Sequence, residues 1–257
     1  MVNPAVKARW VLETKGVVGP PALALHDIAK REGIRYLYRL LPNDPKLSGE
    51  LIYKGNKKGI LINTHISSPK RHTFTFAHEL GHYFLEHKPE YVRDGRTGFW
   101  CTVDDVLQGK RQKEQEANAF AVELLMPEDQ FRTSMAGAPF DFTLINSLAR
   151  EYQVSKQTCG YRILELTQSP CAILHSELGR ITMQRTSRAA HGFLRQLTHI
   201  PQATAAYSAI KQQCGQIDFT ECDPEKWLAR YTPLTRLYEC TRGKFESGVA
   251  MTLLRWS

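Results

Sequence analysis

Five consecutive residues, His78-Glu79-Leu80-Gly81-His82, constrain this chain more than any other feature of its 257 residues. Two imidazoles four positions apart reach one ion when the backbone between them is helical, because i and i+4 share a helix face. Glu79 then projects about 100° from His78, close enough to act on a water beside that ion. The neighbours agree with a helix. Phe74, Phe76, Ala77, Leu80, Phe84 and Leu85 supply an apolar surface, and Ser68-Pro69 offers an N-cap followed by a first-turn proline. His65, His72 and His87 lie close by and read as solvated or capping histidines.

A catalytic zinc site keeps three protein ligands and leaves a position for water. The third ligand is expected from the helix Glu114–Leu125, whose apolar residues Ala117, Ala121, Leu124 and Leu125 define the buried face, with Phe120 at its edge. A helical wheel puts Glu114 within that face, and Glu116 beside Glu123 on a stripe nearer to solvent. Glu114 is therefore the preferred ligand and Glu116 the alternative. Asn118, one turn after Glu114, is placed to hydrogen-bond a ligating histidine. Tyr83 and His72 are the nearest side chains to consider as oxyanion stabilisers.

The two blocks RHTFTFAHELGHYFLEH and EQEANAFAVELLMP, in that order, resemble the ImmA/IrrE family of metallopeptidases. The resemblance covers residues 22–167 and weakens beyond. It implies a zincin-like peptidase domain in which His78 and His82 bind zinc with a downstream glutamate and Glu79 is the general base. It also implies a protein substrate, since relatives act on helix-turn-helix repressors, cleaving or disabling them to switch on stress or mobile-element genes.

The rest of the chain suggests an α+β protein. Residues 4–15 and 21–32 read as helices. IRYLYRL, GELIYKG and GILIN read as a small antiparallel sheet. A loop rich in glycine and charge is expected from Lys88 to about Gly109, and a short helix at PEDQFRTSM. Residues 143–167 give two helices with a tight turn at Val154-Ser155, the apolar spacing of a helix-turn-helix. Its second helix would turn Lys156, Gln157, Thr158 and Arg162 outward. That helix is not strongly basic, so packing is favoured over DNA binding. After Ser169-Pro170 come two strand pairs around a helical middle, a small α/β module similar to GAF sensor domains by fold analogy alone. Ile173, Leu174, Ile181, Val249, Leu253 and Leu254 would build its core, with Trp227 and Trp256 as core aromatics. The expected division is 1–135 peptidase, 136–168 helix-turn-helix-like segment and 169–257 sensor or partner-binding module.

Composition narrows the class further. A net charge of +8 permits attraction to nucleic acid, but no dense basic tract appears beyond Lys54–Lys58. No apolar run approaches the ~18–20 residues of a membrane span, and the N-terminus lacks the pattern of a signal peptide. The six scattered cysteines, with no CxxC pair, read as free thiols. The expectation is a cytoplasmic zinc metalloendopeptidase of the HExxH type. Its rivals are an antirepressor that binds without hydrolysis and a DNA-binding regulator with a structural zinc.

Overall fold

In the computed structural model, the structure describes residues 2–65, 67–89, 91–93, 96–102, 111–212, 215–244 and 248–257. The chain divides into two compact units, one of residues 1–134 with 148–155, the other of residues 135–147 with 156–257. This cut differs from boundaries at 135/136 and 168/169, because the segment 136–168 is shared between the units.

The first unit begins with α1 (Pro4–Thr14), whose N-cap Asn3 accepts from the Ala5 and Val6 amides. A 3-10 turn (Pro21–Leu23) and α2 (Leu25–Arg31) follow, and Gly33 at φ +69 releases the chain into β1 (Ile34–Arg39). Strands β2 (Leu47–Lys54) and β3 (Lys57–Asn63) form a hairpin, then come α3 (Pro69–Phe84), β4 (Tyr91–Arg93), β5 (Arg96–Thr102), α4 (Gln112–Leu125) and α5 (Glu128–Met135). The sheet order is β1-β3-β2-β5-β4.

Two expectations need correction here. The sheet is mixed rather than antiparallel, because β1 runs parallel to β3, with Ile34 opposite Lys58. The stretch 88–109, expected as a loop, contains the β4–β5 hairpin, and β5 pairs antiparallel with β2 from Leu47–Thr102 to Tyr53–Thr97. Its glycines and charges mask the strand-forming run Thr97 to Thr102. Residues 90, 94, 95 and 103–109 of that expected loop lie outside the described residues.

Helices α3 and α4 pack very closely. A Cβ on Gly81 would stand 3.0 Å from the Ala117 carbonyl oxygen and 3.1 Å from Ala117 Cα. Backbone at that distance cannot yield cheaply, so a larger residue would cost about 1–3 kcal/mol of overpacking. Glu123 departs from its expected solvent-facing stripe. It is buried, paired with Arg9 of α1 at 2.8 Å, and accepts the Glu128 amide at 3.1 Å where α5 begins.

In the second unit, α7 (Lys156–Leu166) packs on a five-stranded antiparallel sheet of order β7-β6-β10-β9-β8. The strands are β6 (Cys171–Glu177), β7 (Arg180–Thr186), β8 (Gln216–Cys222), β9 (Leu237–Lys244) and β10 (Val249–Trp256). Between them lie α8 (Ala205–Gln212) and the one-turn α9 (Pro224–Trp227). Trp227 and Trp256 share a core with Leu174, Leu237 and Leu254, as core aromatics should. Val249 is instead 46% exposed, because it starts β10 at the sheet end.

The paired helices expected at 143–167 are α6 (Phe142–Glu151) and α7. Arg162 does not face outward; it is buried and donates to Glu165 at 3.0 Å. Gly160 on the same helix is covered too, since a Cβ there would meet Ile173 Cδ1 at 2.7 Å. The four cysteines Cys159, Cys171, Cys222 and Cys240 are free; Cys214 and the side chain of Cys101 lie outside the described residues. Among the described residues no helix is long and apolar enough to cross a membrane.

Candidate active site

Helix α3 starts at Pro69 with Ser68 in the N-cap position, and every residue from Thr75 to His82 is buried. The i, i+4 spacing therefore points His78 and His82 into the interior beside α4, where Glu114 sits in the first turn, 1% exposed. His78 Nε2 lies 3.1 Å from His82 Nε2 and 3.1 Å from Glu114 Oε2, and His82 Nε2 lies 3.6 Å from Glu114 Oε1. These three residues form a group that could hold a metal ion.

The donor set fits zinc. Ligands at ~2.0–2.1 Å in a tetrahedron stand ~3.3 Å from one another, and the three separations above bracket that edge. Each imidazole turns Nε2 inward and gives Nδ1 to another partner, the arrangement that fixes a ligating tautomer. His78 Nδ1 is 2.9 Å from Asn118 Oδ1. His82 Nδ1 is 2.9 Å from His87 Nδ1, and His87 Nε2 is 3.0 Å from Glu116 Oε2. The Phe99 ring of β5 stacks on His82 with centroids 4.3 Å apart.

The electrostatics follow from this packing. Burial pushes the Glu114 carboxyl up, but the hydrogen bonds and charges of His78 and His82 outweigh it and hold the group far below the usual carboxylate range. Burial likewise pushes His78 down, and the hydrogen bond with Glu114, with the charges of Glu79 and Glu114, raises it overall. For His82 burial prevails, and its pKa falls to about 4. His82 and Glu114 are thus held in the neutral and ionised forms a metal ligand needs, whereas the raised His78 must give up a proton when an ion binds.

Glu79 faces strand β2. A Cβ on Gly49 would stand 2.9 Å from Glu79 Oε1 and 2.5 Å from Thr75 Cγ2, so glycine is what leaves room for this carboxylate. The β2–β5 register shifts between Leu47 and Gly49. Gly49, Phe99 and His87 are site residues that sequence reasoning missed. His87 was expected as a solvated or capping histidine; its amide does close the end of α3, and its side chain is only 7% exposed. Tyr83 is occupied elsewhere, its hydroxyl donating to Glu32 at 2.9 Å and accepting from Lys58. His72 lies edge-on to Tyr38, and His65 is exposed as expected.

Comparison with known proteins agrees with this geometry. A peptidase family model, described as the IrrE N-terminal-like domain, matches residues 29–164. Comparison with curated proteins gives no match. Among solved structures, a Mycobacterium tuberculosis transcriptional regulator is similar with a TM-score of 0.61 at 15% identity, covering 98% of this chain and 75% of that one. At that identity the likeness speaks for the fold alone. The family match spans more than half of the chain and contains the whole histidine–glutamate group, so this protein belongs to the peptidase family of the IrrE N-terminal-like domain.

Proposed function

We propose that this protein is a zinc-dependent endopeptidase that cleaves one specific protein, a helix-turn-helix transcriptional repressor, and thereby derepresses the genes it controls. The observation that carries the reading is the convergence of three buried donors, His78, His82 and Glu114, with Glu79 on the same helical turn. Zinc in such a site supplies Lewis-acid chemistry, polarising the scissile carbonyl and lowering the pKa of water. His78 and His82 of α3 and Glu114 of α4 are the residues that would hold it. Glu79 takes the proton of the attacking water and later delivers it to the leaving amine. Asn118 keeps His78 in the tautomer that presents Nε2 inward. Gly49 preserves the space in which Glu79 works.

The peptidase family supports a protein as substrate, and a fold shared with a transcriptional regulator is compatible with a role in transcription. We assign residues 169–257 to regulation or partner binding, since the residues of the metal group lie between 78 and 114. The test is incubation of the zinc-loaded chain with a helix-turn-helix repressor encoded beside its gene. The wild type should cut it, whereas Glu79→Gln should keep zinc and cut about 10²–10⁴-fold more slowly. Clearance by Glu79→Gln at the wild-type rate would contradict the mechanism. Relief of repression without any cut would make the protein a non-hydrolytic antirepressor.

A further inference from the structure

The end of α3 is built in an unusual way. Its last residue is Phe84, and Glu86, two residues on, adopts a left-handed φ of +56. The Glu86 amide donates to the Tyr83 carbonyl at 3.1 Å and the His87 amide to the His82 carbonyl at 3.1 Å. This pair of bonds is a Schellman cap, in which a glycine usually takes the left-handed position. Such a cap brings the side chain two places past the C-cap residue, here Leu85, against one in the last helical turn, commonly as an apolar contact. Here those two side chains are His87 and His82, and they meet nitrogen to nitrogen, Nδ1 to Nδ1, at 2.9 Å.

One proton must lie between those two nitrogens. If His82 Nε2 offers its lone pair to a metal ion, Nδ1 carries the ring hydrogen and donates it. His87 Nδ1 must then accept, which leaves the His87 proton on Nε2. That nitrogen faces the Glu116 carboxylate at 3.0 Å, and an ionised carboxylate can only accept. The other Glu116 oxygen accepts from Gln112 at 2.8 Å, which steadies the carboxylate on α4. Each link demands the next, and only one set of tautomers satisfies all three groups.

We propose that His87 and Glu116 are positioning residues for the metal site, forming a carboxylate–imidazole–imidazole relay that fixes His82 with its Nε2 lone pair toward the ion. The inference rests on reading His78, His82 and Glu114 as the metal ligands. It gives the two ligating histidines different supports. His78 is held by the amide of Asn118, and His82 by a second imidazole whose own tautomer is set by Glu116. It also gives Glu116 a task other than ligation.

The experiment uses the full chain and zinc alone. Zinc content of the wild type is measured first, then zinc affinity by competition with a chelator, and the His82 tautomer by long-range proton–nitrogen NMR of the zinc-loaded protein. His87→Leu, which retains bulk but offers no acceptor, should weaken zinc binding about 10–100-fold, the range seen when outer partners of metal ligands are removed. His87→Asn, whose Oδ1 can take the place of Nδ1 as Asn118 does for His78, should restore most of that loss. Glu116→Gln should weaken zinc in the wild-type background and add nothing in the His87→Asn background, where no imidazole remains to be oriented. A His87→Leu protein that binds zinc as tightly as wild type would overturn the relay while leaving the metal site intact. If His87→Leu fails to fold, equal effects of Glu116→Gln in the wild-type and His87→Asn backgrounds would overturn it instead. A wild type that binds no zinc would overturn the site reading and the relay together.

Discussion

Glu114 in the first unit and Glu239 in the second are equally buried, each 1% exposed, yet their environments push them in opposite directions. Glu114 is held far below the usual carboxylate range because the hydrogen bonds and charges of His78 and His82 outweigh its burial, with Arg111 3.8 Å away. Glu239 is raised, since burial outweighs the Ala205 amide and the Trp227 indole nitrogen (2.9 Å) that donate to it. Burial is therefore not what distinguishes a functional carboxylate from a structural one. The distinction lies in whether the facing donors can give up their protons. Imidazoles can, which is what would let all three groups serve as ligands to a metal ion; an amide and an indole cannot, and Glu239 stays a clamp joining the start of α8 to Trp227.

The most severe way to break this comparison is to remove the exchangeable donors. The His78→Ala, His82→Ala double variant should fall from one zinc per chain to background by elemental analysis of metal-reconstituted protein. Undiminished zinc would show that Glu114 is no more a ligand than Glu239. On the other side, Glu239→Leu should leave zinc untouched but orphan two buried donors. Such a loss costs about 1–3 kcal/mol, to be read from denaturant unfolding.

A subtler effect comes from the sign of the Glu239 shift. Its carboxyl pKa is raised above 4.5 in the folded chain. Between 4.5 and that raised value the folded state keeps a proton that the unfolded state has released, so this group's contribution to stability declines as pH rises through the window. Glu239→Gln, which keeps an acceptor and carries no charge, should remove that slope. The variant should gain on the wild type as pH climbs above 4.5, in melts recorded at several pH values. A difference that stays flat with pH would mean that the fixed donors balance the burial of Glu239.

The same contrast explains what was legible in the sequence. Helices α1, α3 and α4 could be read because each buries one stripe, and the stripe places His78, His82 and Glu114 without tertiary knowledge. Partners supplied by distant segments were not legible. Glu123 looked solvent-facing until Arg9 of α1 covered it, and Arg162 looked like an outward cation on a helix face that the second unit buries. His87 lies past the end of α3, where a helical wheel no longer applies, and only the left-handed Glu86 turns it back. Strand β1 was visible as a strand, but its parallel pairing with β3 depends on a crossover that alternation cannot report. Gly49 carried no local signal, because its need for a hydrogen side chain is set by Glu79 and Thr75 on another element.

On this reading Glu114 completes the metal site and Glu116, two residues on, does not ligate. Zinc affinity of Glu114→Ala and Glu116→Ala, measured side by side against one chelator, separates the two glutamates. Glu114→Ala should lose the greater affinity, with Glu116→Ala limited to the roughly 10–100-fold expected of an outer partner. The reverse order, or a Glu114→Ala chain that holds zinc as the wild type does, would contradict it and make Glu116 the ligand.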